Sequence, residues 1–539
     1  MQLHWHGDAS RIEFGAEALQ AHLLDLSSAC FLLEIEGRTG VTSEGELGGA
    51  PGGVKVLGFA RDLLPEDLGD VRFQADHGVC LSYAAGSMAN GIASEALVAA
   101  LAERRILSSF GAAGLLPARI GETIERLRAA VPGKPYAFNL IHNPAEETLE
   151  SATVDLYVER GVRTVEASAF LDLTPHVVRY RVAGLQQRPD GSVERGNRLV
   201  AKVSRREVAA KFLRPAPPAM VADAVSRGAV TEQQARLAEH VPMCDDLTVE
   251  ADSGGHTDNR PLVALLPSLI DLRDEVQASQ RYDHTVRVGA AGGISTPAAA
   301  LAALAMGAAY VVTGSVNQSC REAGASAHAK RLLGEAGMAD VMMAPAADMF
   351  EMGVKVQLLK RGTLFPMRAQ HLYELYQAYD GLEAIPEAER QRLEKQFFRR
   401  SLGDIWGEVQ RYFEARDPEQ LRLAMDNPKR RMALVFRWYL GLSSRWANSG
   451  EVGREMDYQI WCGPAIGVFN DWVRGSYLEA VENRSVVDVA WHIMRGAAYL
   501  HRIQDLQLQG ARLPVGALRY RPYPLEEVES RVEHRGLGD

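Results

Sequence analysis

The sequence predicts an α/β protein: a (β/α)8 TIM barrel with an additional, mostly helical C-terminal domain and a small N-terminal section. Three observations lead there. Between residues 76 and 345, eight short apolar runs alternate with helix-like segments. The runs lack polar alternation, so both faces are buried, as in a parallel sheet. Eight such units over about 240 residues fit a closed barrel of eight strands. Past residue 345 the strand-like runs stop and apolar residues recur at helical spacing. An open doubly wound sheet is the alternative that periodicity alone leaves standing.

Composition narrows the class. At 539 residues the chain is too long for one core. Charged residues make up 24% with a net charge of -10 and no long basic tract, which argues against nucleic acid as a partner. The five cysteines (Cys30, Cys80, Cys244, Cys320, Cys462) are odd in number and none forms a CxxC pair. Neither a metal site nor a disulfide framework is expected, and reduced thiols suit a cytoplasmic protein. The start, "MQLHWHGDASRIEF", has no export signal. The most apolar stretch, Val286–Ser315, is broken by Gly292-Gly293, Pro297 and Gly307, so no membrane span is expected.

In chain order, residues 1–75 hold two strand-like runs, "ACFLLEIEG" and "VKVLGFA", around a glycine-rich loop. The barrel section, 76–345, contributes the runs "GVCLSYAAG", "ILSSFGAAG", "PYAFNLIHN", "TVEASAF", "RLVAKVS", "LTVEADSGGH", "VRVGAAGG" and "AYVVTGS". Between the fourth and fifth, Asp190-Gly191 marks a β-hairpin inserted near 180–200. Residues 346–480 read as a helical domain. Six of the seven tryptophans lie past residue 400, which predicts an aromatic-rich core there. Residues 481–539 read as a C-terminal helical segment and tail.

Ligands of such barrels sit at the carboxyl ends of the strands. Gly292 and Gly293 follow the seventh strand, Ser295 or Thr296 can cap the next helix, and Gly314-Ser315 follow the eighth strand. The two glycine turns are one βαβ unit apart and so share one end of the sheet, where backbone N–H groups can approach a phosphate. Gly86, Ser87 and Met88 follow the first strand, and Asn139 ends the third. Lys202 is the only charge inside "LVAKVS" and needs a partner. That partner is a barrel carboxylate, Glu166 or Glu250, or an anionic cofactor. His256 follows two glycines, Gly254 and Gly255, where it can act as general acid or orienting donor.

Together, "AAGSMANGIAS", "FNLIHNP", "VEASAFLDLTP", "EADSGGHTDNRP", "GAAGGISTP", "TGSVNQSC", "MAPAADMFEMGVKVQLLKRGTLFPMRAQ" and "WCGPAIGVFNDWV" resemble the nitronate monooxygenase-like flavin barrels. They are most similar to the stand-alone, trans-acting enoyl reductases of polyunsaturated fatty acid synthases and trans-acyltransferase polyketide synthases. The resemblance implies FMN as cofactor and NADPH or NADH as hydride donor. It implies flavin contacts from Gly86, Ser87, Met88, Asn139, Lys202, Gly254 and Gly255, and phosphate contacts from Gly292, Gly293, Gly314 and Ser315. His256 would stand over the reacting face, with Lys202 stabilising charge. The substrate would be an enoyl thioester on an acyl carrier protein. Two basic clusters, Arg399-Arg400 and Lys429-Arg430-Arg431, are candidate docking points for that acidic partner. A homodimer is left open. The competing readings are a nitronate monooxygenase, a non-catalytic barrel protein, and an inosine-monophosphate-dehydrogenase-like barrel. The last needs a cysteine nucleophile, and the motif around Cys320 differs.

Overall fold

The computed structural model describes residues 4–49, 52–142 and 147–525. Eight parallel strands close into a barrel in chain order: β1 (Tyr83–Ala85), β2 (Leu107–Phe110), β3 (Ala137–Ile141), β4 (Thr164–Ser168), β5 (Arg198–Val203), β6 (Asp246–Glu250), β7 (Arg287–Ala291) and β8 (Val311–Thr313). Closure comes from β8 against β1, with Val311 opposite Tyr83 and Thr313 opposite Ala85. Side chains alternate across each strand. Val165, Ala167, Leu199, Ala201, Leu247 and Val249 join the main core beneath the surrounding helices. Residues of the opposite parity (Ala84, Leu107, Ala137, Ala291 and Val312) form a separate cluster inside the barrel with Phe73 and Tyr310. Burial on both sides explains the unbroken apolar runs.

Between β7 and β8 lies helix α1 (Pro297–Ala305). Thr296, rather than Ser295, caps it, accepting from the Ala299 N–H at 3.3 Å. Its alanines let it sit close against a long helix near the chain's end. There a Cβ on Gly496 would come within 2.4 Å of Pro297 Cγ.

The expectation that strands stop past 345 needs correction. Lys355–Leu359 is a strand, paired antiparallel with Val341–Pro345 on one side and with Gly255–His256 on the other. After it come helices α2 (Phe365–Ala378), α3 (Leu402–Arg416) and α4 (Pro428–Ser449), packed around Phe365, Phe398, Phe436 and Tyr439. Trp406, Trp438, Trp446 and Trp461 belong to this aromatic core, whereas Trp472 and Trp491 pack on the barrel core instead. The reason is that α5 (Ala465–Val473) and α6 (Val486–Leu508) return to the barrel.

Helix α6 also joins the N-terminal section to the rest. That section is a six-stranded sheet in which Cys30–Ile35 pairs antiparallel with Val54–Ala60. Buried Arg502 donates to the carbonyls of Leu23, Asp25 and Ser28. Gln509 bonds both the N–H and the C=O of Phe59. The inserted hairpin runs Leu185–Gln187 against Val193–Arg195, and its Arg195 reaches Asp245, just before β6, at 2.6 Å. Residues 526–539 of the tail, and Asn143 and Pro144 of "FNLIHNP", lie outside the described residues. Among the described residues no helix is long and apolar enough to cross a membrane.

Candidate active site

Three charged side chains of interior parity occupy neighbouring strands near their carboxyl ends: Glu166 on β4, Lys202 on β5 and Glu250 on β6. Lys202 Nζ lies 3.2 Å from Glu250 Oε1 and 3.7 Å from Glu166 Oε1, so it has both barrel carboxylates as partners. Burial pulls its pKa down, but Glu250 and then Glu166 outweigh that and lift it above the ordinary lysine value. Lys202 is therefore a permanent cation. Glu166 also accepts from Ser87 Oγ at 2.6 Å and the Ser87 N–H at 3.3 Å, tying the β1 loop to β4. Asn139 is buried beside them, its amide donating to Glu166 O at 3.1 Å and Ser168 Oγ at 2.9 Å.

His256 faces Asp348, with Nε2 at 3.1 Å from Oδ2. Burial disfavours the imidazolium. The Asp348 hydrogen bond and charge, with help from Glu250, reverse this and raise the His256 pKa above the ordinary value. Burial acts on Asp348 in the opposite sense and is likewise overcome, so its carboxyl titrates below the ordinary range. Sequence reasoning gave Asp348 no role, although it lies within the "MAPAADMFEMG" stretch. The pairing depends on the strand Lys355–Leu359, which carries this stretch back beside His256. Gln357 on the same strand donates to Asp252 Oδ1 at 2.7 Å and Ser253 O at 2.8 Å, pinning the loop below the histidine.

The glycines divide into two kinds. A Cβ on Gly254 would meet the Cys462 backbone at 2.7 Å, and one on Gly292 the Ala251 carbonyl carbon at 2.7 Å, so both are required for close packing. Added Cβ atoms on Gly255, Gly293 and Gly314 would meet nothing within 4 Å. Gly292 and Gly293 have φ of +84° and +78°, a turn that strains any other residue. Beside it, Ser295 Oγ is buried and has no hydrogen-bond partner. Ser315 Oγ accepts from the Gly463 N–H at 2.9 Å, which ties "WCGP" to the loop after β8. Gly86 lies over Val312 (3.1 Å to an added Cβ), and Met88 is partly buried against the main core. Open space over two glycine turns of one βαβ unit, with an unpaired hydroxyl beside one of them, fits a phosphate group.

The two basic clusters are not brought to this mouth as free charge. Lys429 donates to the carbonyls of Tyr376 and Tyr379, and Arg431 lies over Trp406 and 3.5 Å from Glu383. Arg430 donates to Gln420, Arg399 to the Gly453 carbonyl, and Arg400 pairs with Glu408. Cys320 is buried, so it is in no position to act as a nucleophile. Among the described residues no group of three His, Cys, Asp or Glu side chains could hold a metal ion.

Comparison with known proteins places the barrel in a family. The nitronate monooxygenase model matches residues 83–374, more than half of the chain, and the chain belongs to that family. The flanks match other descriptions: the fatty acid synthase subunit PfaD N-terminal domain over residues 5–60, and the inserted helical domain of [acyl-carrier-protein] S-malonyltransferase over 379–458. Among solved structures, the enoyl reductase domain of MlnA from the macrolactin biosynthesis cluster of Bacillus amyloliquefaciens is 37% identical. That match covers 81% of this chain and 99% of that one, with a TM-score of 0.78. A polyunsaturated fatty acid synthase subunit of Thraustochytrium sp. is 50% identical over 82% of this chain and 30% of its own length. Polyketide biosynthesis protein PksE of Bacillus subtilis is 43% identical over 82% of this chain and 58% of its own length. The chain thus spans less than two thirds of these curated relatives.

Proposed function

We propose that the chain is an FMN-dependent enoyl reductase that uses NADPH or NADH to reduce the α,β double bond of enoyl thioesters held on an acyl carrier protein. The observation that carries this reading is the likeness to the MlnA enoyl reductase domain over 99% of that domain. The open glycine turns and the buried, unpaired Ser295 hydroxyl support a phosphate-bearing cofactor. Gly292, Gly293, Gly314 and Ser315 would hold the phosphate. Gly86, Ser87, Met88, Asn139, Lys202 and Gly255 would border the ring, and Gly254 would act by letting "WCGP" close the site from behind.

FMN held by these residues would supply hydride transfer between a nicotinamide and the β-carbon of the thioester. Lys202 contributes fixed positive charge where negative charge develops, and Glu166 and Glu250 keep it protonated and in place. His256 holds the proton that completes the reduction at the α-carbon. As imidazolium it carries protons on both ring nitrogens. Asp348 engages Nε2, so the proton on Nδ1 is the one left to deliver. Docking of an acidic carrier at Arg399, Arg400, Lys429, Arg430 or Arg431 would compete with the internal contacts of those residues, a cost that any test of this patch must overcome.

A nitronate monooxygenase is the second reading, favoured by the family model itself. Anaerobic stopped-flow on the FMN-loaded protein separates the two. After reduction by NADPH or NADH, rapid flavin reoxidation by crotonyl thioester on a carrier protein is expected. Flavin that the thioester leaves reduced, in a protein that oxidises propyl nitronate with oxygen, would overturn the reductase.

A further inference from the structure

The short stretch between the strands Val341–Pro345 and Lys355–Leu359 touches both halves of the molecule. Asp348 meets His256 at the barrel mouth. Two residues on, Phe350 is fully buried in the helical core, with ring centroids 5.5 Å from Tyr373, 5.3 Å from Tyr376 and 6.2 Å from Phe436. The next residue, Glu351, faces Arg437, with Oε1 3.4 Å from Nη1. Phe436 and Arg437 are successive residues of α4, so this helix provides both an apolar and a charged anchor. Gly353, at φ +70°, closes the turn so tightly that a Cβ there would lie 2.3 Å from the Tyr373 hydroxyl.

We propose that Arg437 and Glu351 are positioning residues: their ion pair holds this turn on α4 so that Asp348 stays on His256. Helix α4 thereby acts on a barrel histidine through Asp348. The consequence for catalysis rests on the reductase reading, but the positioning does not. The charged groups facing His256 are Asp348, Glu250 and Lys202, and those facing Asp348 are His256 and Arg437.

The signs make the idea testable. Arg437 is a cation, so deleting it should by its field alone raise the pKa of a nearby histidine. Loosening the turn should lower it, because burial without Asp348 disfavours the imidazolium. The experiment is a pH titration by NMR of the FMN-loaded protein with carbon-13-labelled histidine, the His256 signal being identified by its loss in His256→Gln. In Arg437→Gln the His256 midpoint should fall toward the ordinary value of about 6.5. It should stay in place in Arg437→Lys and recover in the charge-swapped double variant Arg437→Glu with Glu351→Arg. Turnover of carrier-bound crotonyl thioester by Arg437→Gln should fall about tenfold with KM little changed, the cost of a misplaced group. A midpoint that rises or stays fixed in Arg437→Gln, or a swapped pair that fails to recover it at wild-type flavin content, overturns the positioning role. Should the wild-type protein reduce no enoyl thioester, the reductase reading fails while the titration still decides this one.

Discussion

The two ends of the barrel carry nearly the same chemical groups and put them to opposite uses. At the amino end, His77 Nε2 lies 2.8 Å from Asp246 Oδ2, and Arg287 grips the same carboxylate from the other side at 2.6 Å and also reaches Asp76. Phe73 lies beneath Arg287 and stacks on Tyr310, 4.3 Å between ring centroids. His77, Asp246 and Arg287 are all buried. At the carboxyl end, Lys202 with two carboxylates and His256 with Asp348 repeat the theme, but His256 and Asp348 keep about a third of their side-chain surface. Gly255, next to His256, has open space around it. A closed network leaves no face for a ligand, whereas a half-open one at the carboxyl ends of the strands can meet one.

The largest expected effect breaks the closed end. Arg287→Ala strips Asp246 of its guanidinium partner in a buried setting and should cost about 3–5 kcal/mol of unfolding free energy, measured by urea denaturation. Flavin affinity of the folded fraction should not change. At the open end, Lys202→Met should do the reverse. Glu166 and Glu250 lose a shared cation in a less completely buried setting than Asp246, so stability should drop by less than the roughly 3–5 kcal/mol expected at Arg287. Flavin affinity should fall about tenfold to a hundredfold, equivalent to roughly 1.4–2.7 kcal/mol, measured by fluorescence titration with FMN. Full flavin affinity in Lys202→Met would erase the distinction between the two ends.

The same contrast governs what could be read from the sequence. All eight barrel strands were legible because strands buried on both faces appear as unbroken apolar runs. Lys202 was legible as a lone charge within such a run, and Asp190-Gly191 as a turn dipeptide. Asp348 was not, because its partner His256 is 92 positions away and the link runs through a five-residue strand. Gly254 has the sequence context of a ligand glycine, but its missing side chain accommodates the Cys462 backbone, which no local pattern announces. Charge runs mislead for a related reason. Lys429-Arg430-Arg431 looks like a solvated basic patch in one dimension, yet Lys429 is held by two backbone carbonyls, one in the last turn of α2 and one just past its end.

The smallest effect is a pH dependence that distinguishes the two His–Asp pairs. At the mouth, the raised His256 pKa means that the pair's stabilisation is complete below about pH 6.5 on the histidine side and is lost as pH rises through the folded pKa. On the aspartate side, the lowered Asp348 pKa means that stabilisation is present above about pH 3.8 and lost as pH falls through its folded value. Proton delivery by His256 should follow the same upper boundary, with turnover falling on the alkaline side. Asp348→Asn removes the main group that raises His256 and leaves only the Glu250 charge against burial and Lys202, so the alkaline limb should move to lower pH, below its wild-type position. Asp246 differs: Arg287 and His77 overcome burial and hold its carboxyl far below the ordinary range, so the closed end keeps its charge to more acidic pH than the mouth does. A pH–rate profile of Asp348→Asn with its alkaline limb unmoved would mean that the histidine's proton is held by something other than the aspartate facing it.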